Sequence, residues 1–366
     1  MLSRRQVRCC AGILRHILYR ETAPLPAMDR AVMRRIFHLN GMESMVDCCE
    51  DPALAPLRAP EKAFGHMLYQ RSIQHTVTFL FQEMNRRGIR AAVLKGVAVS
   101  ECYPKDVVRT SGDIDLYVPG SQREAVSQMM REAGLSLASD LVNGQCGADT
   151  FVTSAGVCVE VHYIYFLRLS ARQKKVLRRH GFFSADLFVP SAEGNYSVLR
   201  PEAHLFYLAY HAGKHMLAHT VTLRMLSDIT MFVNRYADEI DGEAFRRLAD
   251  ELRYTRIFNA LFCFCKKHLG MRKDFWRKSG CSMDFFVRLM FKSGEERSWE
   301  RFIDRGPEAW IFYRGQCVEE NGEFRSRYCY APGKAFKRKY SFSTFVFWWL
   351  LRLIWGCEVD FSREAA

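Results

Sequence analysis

The sequence predicts an α+β chain: a small mixed β-sheet core flanked by N-terminal helices and a C-terminal helical region. Three observations carry this. Apolar residues recur at helical spacing over residues 7–18 and 64–84, and again through most of 200–269. Residues 89–166 instead show short apolar runs and period-two alternation, the pattern of strands. Glycine and proline punctuate the changes, at Gly88, at Pro119-Gly120 and at Pro201. With 366 residues the chain suits two or three domains. The breaks place boundaries at 1–88 (helical), 89–199 (the α/β core) and 200–366 (helical). A composition of 49% hydrophobic and 25% charged residues excludes disordered and collagen-like classes. A chain of this size buries a core without disulfide staples.

Element by element, residues 7–18 and 64–84 read as helices, with breaks at 23–26 and 51–60 and a C-terminal stop at Gly88. Residues 89–94 form a short apolar run between Gly88 and Gly96, read as a buried strand, and 97–102 as one or two helical turns. Residues 113–118 (DIDLYV) alternate acid and apolar, a strand that Pro119-Gly120 ends. Ser121 and Glu124 have the spacing of a capping box opening a helix that runs to Gly134. Residues 150–153 and 157–166 flank Ser154-Ala155-Gly156 and read as a hairpin. Pro201 opens a long helix through His219. Further helices are expected at 222–236, 242–252 and 255–269, and 306–340 is mixed.

The formal charge of +13 favours anionic partners such as nucleotides, nucleic acid or acidic lipid. The basic residues are dispersed, so a solvated basic surface accounts for the excess equally well. The 13 cysteines include no CxxC pair and no zinc-knuckle spacing. The first twenty residues mix Arg with apolar residues, unlike a secretory signal. Reduced thiols in a cytoplasmic protein are expected. Residues 341–357 are rich in Phe, Trp and Leu, interrupted by Arg352 and preceded by a basic run. At this length the segment suits a buried terminal helix, or else an interfacial anchor giving peripheral membrane contact.

The chemistry concentrates in three short stretches: Val93-Leu94-Lys95-Gly96, Arg109 to Val118, and Val159-Glu160-Val161-His162. On a strand, Asp113 and Asp115 share one face, while Ile114, Leu116 and Val118 take the other and suit the core. Two adjacent carboxylates repel and are costly to bury unpaired, so their face is expected to be open. Two carboxylates on one strand face suit a hard cation, Mg²⁺ or Mn²⁺, alongside phosphates. In the later strand the valines share one face, and Cys158, Glu160 and His162 the other. If the two strands are neighbours, Glu160 completes a three-carboxylate metal set with Asp113 and Asp115. Lys95-Gly96 ends a strand just before a helix, where backbone N–H groups can approach a phosphate. No Walker A or dinucleotide fingerprint occurs.

In that order, the Gly turn, the acidic strand, the following helix and the later acidic strand resemble the DNA polymerase β-like nucleotidyltransferase superfamily. More narrowly, Leu94-Lys95-Gly96, Arg109 through Leu116 and Val159 through His162 resemble a bacterial nucleotidyltransferase group with an L-K-G turn and a D-I-D-L strand. The likeness centres on residues 89–166. It implies that Asp113 and Asp115 hold metal, that Glu160 is the third acid, and that Gly96 lines the triphosphate loop. It further implies transfer of a nucleoside monophosphate from an NTP, ATP being expected, to an acceptor hydroxyl with release of pyrophosphate. The acceptor is open: a protein, a small molecule or an RNA end. Lys95 and Arg109 extend the phosphate contacts, with Gly112 beside them. The turn reads Lys-Gly-Val where the superfamily more often has Gly-Gly or Gly-Ser, so a serine hydroxyl on the phosphate is missing, or Ser100 or Ser111 replaces it. That departure keeps a catalytically inactive nucleotide-binding module as an alternative, beside a basic nucleic-acid or membrane-surface binder. His162 orients Glu160 or meets substrate. His211 and His215, four apart on one helix face, are accessory candidates for packing or phosphate contact. Arg224 and Asp228 are expected to form an i,i+4 ion pair.

Overall fold

The computed structural model describes residues 4–21, 29–138, 148–163, 171–182, 184–217, 221–276, 317–320 and 323–326. The aromatic segment 341–357 lies outside the described residues, as does most of 306–340. The protein is α+β. Among the described residues, seven strands form one mixed sheet: β1 (Ala92–Val93), β2 (Ile114–Tyr117), β3 (Ser136–Leu137), β4 (Ala148–Val152), β5 (Cys158–His162), β6 (Phe188–Pro190) and β7 (Ser197–Leu199). Their spatial order is β3-β4-β5-β2-β1-β7-β6. The pairs β2/β5 and β1/β7 are parallel and the rest antiparallel. A separate hairpin joins β8 (Cys317–Glu320) to β9 (Glu323–Ser326).

Period-two alternation divides the sheet into two unlike faces. Val93, Ile114, Leu116, Phe151, Val159 and Val161 point to one side. They are covered there by α4 (Pro60–Arg86), through Ile73, Val77, Leu80 and Met84, and by α6 (Arg123–Glu132), through Val126, Met129 and Met130. Ala92 and Leu94 belong to a second core on the opposite side. That core is built from α1 (Arg4–Tyr19), α2 (Arg30–Asn40), α3 (Glu43–Asp47), α7 (Ala171–Arg179), α8 (Pro201–Leu217), α9 (Leu223–Arg235), α10 (Gly242–Glu251) and α11 (Thr255–Leu269). The N-terminal helices are thus shared out: α1 and α2 join the C-terminal helices, and α4 backs the sheet. The polar side chains of β2 and β5 face the second side.

Several elements differ from expectation for local reasons. The first strand pairs only at Ala92 and Val93, not over 89–94. The Ile89 N–H is taken by the Met84 carbonyl at the end of α4, and the Arg90 N–H by the Gln122 side chain, so the ladder starts later. The Ser121/Glu124 capping box does not form. Ser121 lies in a 3₁₀ turn over Gly120–Gln122, and α6 starts at Arg123 with no side-chain cap. Gln122 instead bridges to Arg90 N–H and the Gly88 carbonyl, tying the end of α4 to the entry of β1. The helices α8 to α11 begin where the sequence places them. Thr222 caps α9 through its hydroxyl, and Asp241 caps α10 through its carboxylate. Cys48, Cys49, Cys263 and Cys265 are free thiols. No helix among the described residues is long and apolar enough to cross a membrane.

Candidate active site

Parallel pairing of β2 with β5 sets Asp115 directly beside Glu160, and Tyr117 beside His162. Cross-strand neighbours point the same way, so Asp115, Glu160 and His162 converge on one patch. One donor atom from each lies within 4.8 Å of the others. His162 Nε2 is 3.0 Å from Asp115 Oδ1 and 3.4 Å from Glu160 Oε2. Burial lowers the His162 pKa, but hydrogen bonds and charge from Asp115 and Glu160 outweigh it and raise it to about 9.

The carboxylate face is not open in the way two repelling acids require. Asp115 is only 2% exposed. Its charge is compensated from inside the protein: Lys95 Nζ lies 3.0 Å from Asp115 Oδ2 and 3.5 Å from Asp113 Oδ2. Burial pushes the Asp115 carboxyl up, yet Lys95 and His162 hold it down at about 2. Asp113, with a third of its side chain exposed, is pushed the other way, by burial and by the charge of Asp115. Burial disfavours the Lys95 ammonium, and the two aspartates more than restore it, raising its pKa.

The donor set fits a divalent cation. Two carboxylates converge with an imidazole that joins them as a ligand only on losing its proton to the incoming charge, and the buried Asp115 Oδ2 accepts no well-aligned hydrogen bond. Asp113 falls outside this three-residue group and reaches it through Lys95.

Beside the patch lies a small, open cleft. All five expected phosphate residues line it: Lys95, Gly96, Arg109, Ser111 and Gly112, together with Asp113, His211 and Arg224. Gly96 opens α5 (Val97–Ser100) at φ 61° and ψ −106°, a conformation reserved for glycine. A Cβ there would sit 2.6 Å from Ser111 Oγ, so the backbone turn and the serine pack directly together. Leu94, just before the turn, is anchored by His204, whose Nε2–H donates to its carbonyl at 2.8 Å.

Arg109 lines the cleft but its charge is already committed. It is 5% exposed and makes a bidentate pair with Asp228, at 2.9 Å and 2.6 Å. Its Nη1 donates to Ser111 Oγ at 2.9 Å. Arg109 is therefore a strut from α9 to the Gly96 turn, and it also lines the cleft. This also overturns the expected Arg224–Asp228 pair, because both Asp228 oxygens go to Arg109 and Tyr103 adds a third bond at 2.8 Å. The i,i+4 spacing alone does not choose between a helical neighbour and a better-oriented fork from across the fold.

Arg224 is the cation the sequence reading missed. Its Nη1 donates to the Thr110 carbonyl at 3.2 Å, and its buried Nε has no partner. The guanidinium lies against Gly41, whose left-handed conformation ends α2; a Cβ at Gly41 would meet it at 2.9 Å. Burial and the charge of Arg109 lower the Arg224 pKa, opposed by Asp228. A cation so placed at the mouth of the Gly96 turn is suited to an anion. His211 lines the same cleft, and its Nε2 is 3.2 Å from that of His215. Ser100 bonds the Val97 carbonyl within its own turn, and of the two serines Ser111 is the one in the cleft.

A family model described as "Uncharacterised nucleotidyltransferase" matches residues 54–270, from the turn before α4 to the end of α11. Among solved structures, the chain is similar to an antigenic nucleotidyltransferase-like protein from Paracoccidioides brasiliensis. The identity is 13% and the TM-score 0.33, over 60% of this chain and 93% of that one. No curated protein matches the chain.

Proposed function

The chain belongs to the uncharacterised nucleotidyltransferase family, and from that premise we propose that it transfers a nucleoside monophosphate from an NTP, ATP in the first instance, to an acceptor hydroxyl, releasing pyrophosphate in a Mg²⁺- or Mn²⁺-dependent reaction. The observation that carries this reading is the juxtaposition of two unlike sites: a convergent Asp115/Glu160/His162 patch and, joined to it by Lys95, a cleft with a glycine turn and a buried arginine. Acids that hold a divalent cation beside a cationic phosphate pocket are what nucleotidyl transfer requires.

Asp115 and Glu160, with His162, are the residues proposed to hold the metal, and Asp113 flanks them. Bound there, the metal supplies charge neutralisation at the transferring phosphate. The remaining roles belong to the chain. The Gly96 turn brings backbone close to the phosphates, and Ser111, held by Arg109, fixes that turn. Arg224 is proposed as the guanidinium that meets the triphosphate. Glu160, more exposed than Asp115, is proposed to accept the proton of the acceptor hydroxyl. Holding the reactants in line and matching their charge carries most of the rate in such sites.

A second reading, a nucleotide-binding module without catalysis, is favoured by the Lys95 ammonium lying between Asp113 and Asp115. One experiment separates them. Binding of ATP, GTP, CTP and UTP is measured by calorimetry with Mg²⁺, for wild type, Glu160→Gln and Asp113→Asn/Asp115→Asn, and transfer is followed with α-labelled NTP. Metal-dependent binding that the double variant loses, with label incorporated by wild type and not by Glu160→Gln, is the expected result. Binding without incorporation onto protein, RNA or small-molecule hydroxyl acceptors favours the second reading. No metal-dependent binding in folded wild type refutes both.

A further inference from the structure

Lys95 joins the carboxylate patch to the cleft. Its ammonium lies 3.0 Å and 3.5 Å from one oxygen each of Asp115 and Asp113. These are contact distances for an ion pair, and they set a positive charge between two carboxylates, Asp113 just before β2 and Asp115 within it. The oxygen it meets on Asp115, Oδ2, is buried and has no well-aligned hydrogen bond, so the ammonium compensates that oxygen chiefly through charge. The same side chain lines the cleft with Gly96 and Arg224. Its flexible stem gives the ammonium a second destination, wherever an anion enters.

We propose that Lys95 is a built-in stand-in cation: with no nucleotide bound, its ammonium neutralises Asp115 in place of a divalent ion held by Asp115, Glu160 and His162, and when nucleotide brings that ion it passes from the carboxylates to the phosphates. The inference rests on the nucleotidyltransferase reading of the site. It assigns Lys95 two successive partners where the sequence suggests one. The physical consequence is that metal alone binds weakly, since it must displace an internal charge. Metal brought with a polyphosphate binds well, because the displaced ammonium gains a new counter-ion. The buried Asp115 is therefore never left without a positive neighbour. The device differs from a catalytic loss, in which lysine would hold the acids permanently.

The test uses Mn²⁺ alone as probe, with free Mn²⁺ read by electron paramagnetic resonance, on the full chain as wild type, Lys95→Met and Lys95→Gln. Removing the positive charge is expected to tighten Mn²⁺ binding without nucleotide by about tenfold or more, given the strength of a contact charge interaction near a protein surface. Mn²⁺ is also expected to raise the thermal midpoint of Lys95→Met more than that of wild type, because the variant's buried Asp115 has lost a neighbour. That readout remains usable if the metal-free variant is only marginally stable. Lys95→Gln keeps a donor without the charge and should behave as Lys95→Met. Equal Mn²⁺ affinity and equal midpoint shifts in all three proteins would overturn the proposal. A parallel titration with a non-hydrolysable ATP analogue separates the two levels. If the analogue binds wild type only with Mn²⁺ while the Lys95 variants bind Mn²⁺ as wild type does, the stand-in role falls and the enzyme reading stands. If neither Mn²⁺ nor the analogue binds any folded variant, the enzyme reading falls and takes the stand-in role with it.

Discussion

Asp228→Asn is the substitution that most sharply tests how the site is held. Asp228 accepts two bonds from Arg109, at 2.9 Å and 2.6 Å, and one from Tyr103 at 2.8 Å. Arg109 and Asp228 are each 5% exposed. Burial works against the Arg109 charge, and Asp228 overcomes it and raises the pKa. An asparagine keeps one acceptor oxygen but turns an NH₂ toward a guanidinium that can only donate. It also leaves Arg109 and Arg224 as neighbouring cations without their nearest carboxylate. Breaking a buried pair from one side costs about 3–5 kcal/mol, and the second cation argues for the upper half of that range. Urea unfolding at pH 7 measures it. The functional consequence follows the same strut. Arg109 orients Ser111, and Ser111 packs on Gly96, so nucleotide affinity should fall although Asp228 itself is spoken for. Removing both charges together, as Arg109→Met/Asp228→Leu, should recover much of the stability without recovering nucleotide binding. A loss below about 1 kcal/mol for Asp228→Asn would show that the pair is solvated in solution and that the strut argument is wrong.

Other outcomes follow from the same geometry. Gly96→Ala forces a side chain into a glycine-only conformation and against Ser111, so a loss of about 1–3 kcal/mol in thermal or urea unfolding is expected, with nucleotide binding abolished. Arg224→Met should leave stability unchanged or raised, since its charge is buried for a single 3.2 Å bond to Thr110. The same change should weaken ATP binding by about 1.5–3 kcal/mol, the range for a hydrogen bond to a charged group, as read by calorimetry. His204 supplies a pH dependence. Burial depresses its pKa from 6.5 to about 4, so the folded protein keeps it neutral while the unfolded chain binds a proton below 6.5. Its contribution is therefore present above pH 6.5 and is lost as pH falls toward 4, amounting to about 2 kcal/mol between pH 7 and 5. Urea midpoints at those two pH values should converge for His204→Gln by that amount; His268, depressed in the same direction, keeps its own share in both proteins.

Much of the fold is written locally. The DIDLY strand, the VEVH strand and the hairpin before it announce themselves by period-two alternation. Pro201, Thr222 and Gly242 mark helix starts that need nothing beyond their own neighbours. The short strands β3, β6 and β7 are silent because runs of two or three residues have no period to detect. The Ser121 box is a case where a local signal loses. Gln122 gains bonds to two other segments, and the turn at Gly120–Gln122 follows from that.

The site divides along the same line. That Asp115 leaves the core opposite Ile114 and Leu116 is a property of any strand, although β2 starts one residue later than the alternation suggests and leaves Asp113 in the bend before it, and the valine pattern around Glu160 is equally local. The sequence alone thus determines which side chains leave the core together. What those side chains then meet is decided in three dimensions. Whether Asp115 is open or buried depends on Lys95 and on a histidine from β5. Whether Arg109 binds phosphate depends on a carboxylate 119 residues away on α9. Arg224, which looks like half of a helical ion pair, becomes a cleft cation only because that carboxylate is claimed elsewhere. The physical reason is that backbone periodicity follows from near-neighbour sterics, whereas each charge has several possible partners. The tertiary packing settles that competition by fixing which of them lie within about 3 Å and out of water.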